Sequence, residues 1–93
     1  MQTLDNILSD RGSKYAVTGG PCASEAEARA MVATLKKRKK FAKATHHSWG
    51  LLTEAGPVKN DDGESGAGNV ILRMLEREGL VGHVVIVTRW YGG

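Results

Sequence analysis

The chain has 93 residues, a hydrophobic fraction of 41%, 25% charged residues and a formal net charge of +3. A chain of this length buries only about 60–65% of its unfolded surface, enough for one hydrophobic core and not for a second. No run approaches the roughly 20 apolar residues of a membrane span, Met1-Gln2-Thr3-Leu4-Asp5 resembles no secretory signal, and Cys22 has no partner within the chain for a disulfide.

These features predict one cytoplasmic domain over residues 1–93, with no membrane association and no cofactor. The charge is uneven: residues 1–50 carry nine Lys/Arg against four Asp/Glu, and residues 51–93 carry four against six.

Ser13-Lys14-Tyr15-Ala16-Val17-Thr18 favours a strand, which the turn chemistry of Gly19-Gly20-Pro21 should stop. Ser24 followed by Glu27 has the capping-box spacing, so a helix should begin there. Ala28, Met31, Val32 and Leu35 then form an apolar stripe at helical period. The basic run Lys36, Lys37, Arg38, Lys39, Lys40 and Lys43 follows. It reads either as a solvated helix end, where the helix dipole favours cations, or as a set of candidates for binding nucleic acid.

Thr45 to Leu52 lacks a helical period and reads as a second strand. His46 and His47 are adjacent on it and point to opposite faces, so at most one of them enters any one site. With His83 distant and Cys22 isolated, the spacing of a structural zinc site is absent. Thr53 through Gly63 has the composition of a surface loop.

Asp61, Asp62 and Glu64 place three carboxylates within four residues, at the entrance of the next helix. Carboxylates are favoured at a helix N-terminus, and the longer ligand pattern of a calcium loop is missing, so no metal is expected. Ser65-Gly66-Ala67-Gly68-Asn69 is small enough for a backbone anion site or for tight helix packing, and it lacks the Gly-Lys-Ser/Thr of a P-loop. Ile71, Met74 and Leu75 mark a second amphipathic helix, which Gly79 and Leu80 should terminate. Val84-Val85-Ile86-Val87 predicts a strand covered on both faces and the most buried of all. Thr88-Arg89-Trp90-Tyr91 then sets a cation and two aromatic rings at that strand's end, where ligands and partners are often bound. The order strand, helix, strand, loop, helix, strand suggests a two- or three-layer α/β sandwich.

Four stretches together resemble the motifs of the IMPACT/YigZ family: Asp10-Arg11-Gly12-Ser13-Lys14-Tyr15, Ala44-Thr45-His46-His47, Asp61-Asp62-Gly63-Glu64-Ser65-Gly66-Ala67-Gly68 and Val87-Thr88-Arg89-Trp90-Tyr91-Gly92-Gly93. The basic run and the Arg89-Trp90-Tyr91 form of the last motif are closer to the eukaryotic branch. The resemblance implies an α+β fold, a two-layer sandwich like the second domain of a small-subunit ribosomal protein, with the C-terminal part of the family domain absent. It also implies translational control, since eukaryotic members restrain the starvation-activated kinase of initiation factor 2 by competing for its activator protein.

Three functional readings follow. The first is a non-catalytic regulator of translation or of a stress response, binding a protein partner through His46, Asp61, Asp62, Glu64, Arg89, Trp90 and Tyr91. The second is a domain that binds RNA or the ribosome through the basic run. The third is an enzyme using His46, Asp62, Glu64 and Arg89 for proton transfer or anion binding. Self-association is a further expectation, because an incomplete fold would leave a sheet edge or apolar face for a second copy to cover.

Overall fold

The structure, a computed structural model, describes residues 2–10 and 12–91, and of residues 4–10 the backbone alone. Strands β1 (Gln2–Asp10), β2 (Ser13–Pro21), β3 (His46–Thr53), β4 (Gly56–Asn60) and β5 (His83–Trp90) form one sheet in the order β1-β2-β5-β3-β4. Every neighbouring pair is antiparallel. The helices are α1 (Glu25–Lys36), the short α2 (Lys39–Ala42) and α3 (Ala67–Arg77).

Local chemistry sets the helix ends. At α1 the Glu27 N–H donates to Ser24 Oγ at 3.2 Å, and Glu27 Oε2 reaches back to accept the Ala23 N–H at 2.9 Å, one residue earlier than in the standard capping box. At the end of α3, Gly79 turns left-handed at φ +66°. The Leu80 N–H donates to the Leu75 carbonyl at 2.9 Å and the Gly79 N–H to the Glu76 carbonyl at 3.1 Å, the paired bonds of a Schellman motif. Leu80 packs on the apolar cluster of α3 and supplies the hydrophobic contact that accompanies the motif.

The period-2 alternation of β3 and β5 sends apolar side chains to both faces of the sheet. On one face Trp49, Leu51, Val84 and Ile86 join Ala28 and Leu35 of α1 and Phe41 of α2 in a buried cluster. On the other, Leu52, Val85 and Val87 pack against Ile71, Leu72 and Leu75 of α3. Gly50 lets α3 come close, because a Cβ there would stand 2.8 Å from Ile71 Cγ2. The α+β sandwich that the resemblance implied is therefore present, with helices on both faces, the three-layer form of the sandwich that the element order suggested, where the resemblance implied a single helical layer.

This layering constrains the handedness. The chain passes from β2 to the parallel β3 through α1 and α2, and from β4 to the parallel β5 through α3, running opposite ways across the sheet from oppositely directed strands. Two such crossovers share a hand only if their helices share a face. Here they do not, so one crossover is left-handed, against the strong preference for right-handed connections.

Some expectations are corrected. Gly19-Gly20-Pro21 continues β2 instead of ending it, pairing with Val85, Val84 and His83, because a partner strand outweighs the local turn preference. The loop read over 53–63 contains β4. Thr53 Oγ1 donates to the Gly56 carbonyl at 2.7 Å and accepts the Ala55 N–H at 3.1 Å, closing a hairpin around Glu54-Ala55. Pro57 is tolerated because β4 is an edge strand. The most buried strand is β3, with His47 to Leu51 buried without interruption, whereas β5 alternates buried and half-buried positions. Val85 and Val87 stay half-buried because α3 lies over β3 and β4 and covers β5 only in part.

Candidate functional site

The sequence motifs converge at one end of the sheet. Tyr15, Arg89 and His46 are direct cross-strand partners in β2, β5 and β3, so their side chains form a row on the α3 face. Arg89 Nη1 donates to Glu64 Oε1, and its Nε and Nη2 donate to Ser13 Oγ at 3.2 and 3.1 Å. The guanidinium carbon lies 5.6 Å from the centre of the Tyr15 ring and 5.2 Å from that of Tyr91. The Glu64 hydrogen bond raises the guanidinium pKa above its ordinary value. Thr45 ties the strand end down: its N–H donates to the Arg89 carbonyl at 2.9 Å, and its hydroxyl accepts the Tyr91 N–H at 3.0 Å.

The acidic segment is divided by its geometry. Asp61 accepts the Gly68 N–H at 2.8 Å and the Gly66 N–H at 3.2 Å, capping α3. These backbone donors hold its carboxyl below the usual carboxylate range. Asp62, left-handed at φ 49°, accepts the His47 N–H at 2.6 Å through its carboxylate and the His46 Nδ1–H at 2.7 Å through its carbonyl. Among the described residues no group of three or more His, Cys, Asp or Glu side chains gathers to hold a metal ion.

His46 and His47 do point to opposite faces. His47 is buried, its Nε2–H donating to the Phe41 carbonyl at 3.0 Å and its Nδ1 accepting from the Thr88 hydroxyl at 3.0 Å. Burial lowers its pKa, against the raising effect of the Phe41 bond. With the folded pKa depressed, the unfolded chain binds the extra proton first, so stability is lost as pH falls below about 6.5, at up to about 1.4 kcal/mol per pH unit. Thermal melts from pH 7.5 to 5 should show this slope, and His47→Gln should flatten it; an unchanged slope would exclude His47 as its source.

The expected surface is split between the two faces of the sheet. Arg89, Glu64, His46 and Tyr91 lie together with Ser13 and Tyr15, which the sequence reading did not include. Trp90, one residue further on, points to the other face, where Lys14 is its cross-strand partner. Asp61 and Asp62 spend their carboxylates on backbone donors. The basic run is exposed at the end of α1 and on α2. Arg11, Gly92 and Gly93 of the matching motifs lie outside the described residues. Ser13 and Tyr15 fall in the first of the four motifs, the one signal that marked them, but their place beside Arg89 follows from the pairing of β2 with β5, a relation that spans most of the chain.

The family model of the Impact N-terminal domain matches residues 11–93. The chain belongs to the IMPACT family. This IMPACT domain is 31% identical over 97 residues to the Protein IMPACT homolog of Saccharomyces cerevisiae, matching 98% of this chain and 38% of that protein. It is 28% identical over 92 residues to human Protein IMPACT, covering 92% of this chain and 29% of the relative. The IMPACT domain thus spans about a third of the length of these curated relatives.

Among solved structures, one described as the two-domain translational regulator Yih1 superposes with TM-score 0.61 at 31% identity, over 90% of this chain and 35% of that one. A crystal structure of a hypothetical protein superposes with TM-score 0.82 at 21% identity, over 98% and 47%, a likeness of fold alone. No helix of the described IMPACT domain is long and apolar enough to cross a membrane.

Proposed function

We propose that this IMPACT domain regulates translation in the cytoplasm by binding a protein of the translation or stress machinery through the Arg89 face. The observation that carries the reading is the fixed geometry of Arg89, held by Glu64 and Ser13 and flanked by the rings of Tyr15 and Tyr91. Arg and Tyr are over-represented among the residues that dominate binding energy at protein interfaces. Pre-organisation also lowers the entropic cost of docking. Tyr91 is 64% exposed and available to a partner. The description of Yih1 as a translational regulator supports the functional class.

A binding role is favoured over catalysis because the three carboxylates of the acidic segment are engaged, Asp61 and Asp62 by backbone donors and Glu64 by Arg89. The kinase pathway of the eukaryotic relatives supplies the test. In amino-acid-starved cells producing the domain, phosphorylation of initiation factor 2 should fall several-fold, and Arg89→Glu or Tyr91→Ala should restore it. Normal melting curves would show that both variants still fold. Unchanged phosphorylation with the intact domain would overturn this reading.

A further inference from the structure

The face opposite Arg89 carries a different arrangement. Trp90 and its cross-strand partner Lys14, with Gly12, the α2 lysines Lys39 and Lys40, and Lys43 just after that helix, line a cleft of about 670 Å³. We propose that this cleft binds single-stranded RNA, with a base against Trp90 and neighbouring phosphates among the lysines.

The ring is held firmly. Trp90 Nε1 donates to the Lys40 carbonyl at 2.9 Å, and the indole tilts against Phe41 with ring centroids 5.2 Å apart. Phe41 is fully buried in the core, so Trp90 is anchored from beneath and stays half-exposed. The rim is cationic, with the Lys40 ammonium 5.5 Å from the centre of the Trp90 ring, and among the described side chains no carboxylate lines the cleft. An apolar ring beside a positive groove is how proteins bind unpaired bases, each stack contributing about 1–3 kcal/mol.

The four cations are lysines, point charges that accept a phosphodiester in many orientations. The cleft's volume is that of a small-molecule pocket. The arrangement also selects within the basic run. Lys36, Lys37 and Arg38 do not line the cleft, and the Arg38 guanidinium lies 4.7 Å from the centre of the Phe41 ring instead. The proposal uses none of the residues of the Arg89 face, so either can fail without the other.

The test is fluorescence anisotropy of a labelled ten-nucleotide oligouridine with the full chain, across a series of salt concentrations. Binding should weaken with salt at a log–log slope of about −2 to −3, the release expected when three or four phosphates are neutralised on a single strand. Lys39→Gln with Lys43→Gln should reduce affinity at least about tenfold at low salt and flatten the slope by about 1.4. Lys36→Gln with Lys37→Gln should change affinity by less than about threefold. An abasic oligomer of equal length should bind several-fold more weakly, and Trp90→Phe should narrow that gap while keeping a ring against Phe41.

Four results would each overturn the proposal. They are no binding at low salt, equal losses in the two lysine double variants, equal affinity for the abasic oligomer, and equal affinity for a polyglutamate peptide.

Discussion

Phe41→Ala should lower the unfolding free energy by about 3–5 kcal/mol, the usual cost of deleting a buried aromatic ring. Phe41 has no exposed surface and carries the apolar contact of the four-residue helix α2, whose other side chains include Lys39 and Lys40. A helix this short has no stability of its own, so its position depends on that ring. The loss would be a large share of the roughly 5–15 kcal/mol by which a domain is stable. Urea denaturation followed by far-ultraviolet circular dichroism would measure it. A loss below about 1 kcal/mol would mean that α2 is not held through Phe41. Because Trp90 rests on the same ring, its fluorescence should also shift in the native state.

Gly50→Val is expected to cost about 2–3 kcal/mol through overpacking rather than cavity formation. The added Cβ would meet Ile71 Cγ2 at 2.8 Å and the Leu72 backbone nitrogen at 3.3 Å, and the helix backbone cannot yield as a flexible side chain can. Relief requires α3 to lift from β3. Amide hydrogen exchange should then show faster opening of 67–77 in the variant, with α1 unchanged. Uniform acceleration of both helices would place the strain elsewhere.

What was legible in the sequence was local. The Ser24–Glu27 cap and the Gly79–Leu80 stop depend on residues a few positions apart, and both form in the structure. The layered sandwich of sheet and helices followed from the element order, and the α+β class and IMPACT family membership from the four motifs. β1 was not read because Gln2 to Asp10 has no clean alternation; it is a strand because β2 offers it a partner. β4 was masked by Gly56 and Pro57, turn residues that an edge position accommodates. The acidic segment was seen as one cluster, whereas three of its residues serve three purposes: capping α3, pinning β3 and orienting Arg89. The strand period alone separates Arg89 from Trp90, and joining them as one surface overlooked it.

The place of β5 between β2 and β3 also dictates an order of assembly. It is the last described element to be synthesised, yet it is the strand through which the β1–β2 and β3–β4 hairpins are joined. Until it has been made, a nascent chain holds two separate hairpins and the two halves of a sheet with nothing between them. Completion must therefore wait until His83–Trp90 has been translated, and a ribosome that stalls before His83 leaves two exposed inner edges open to mispairing.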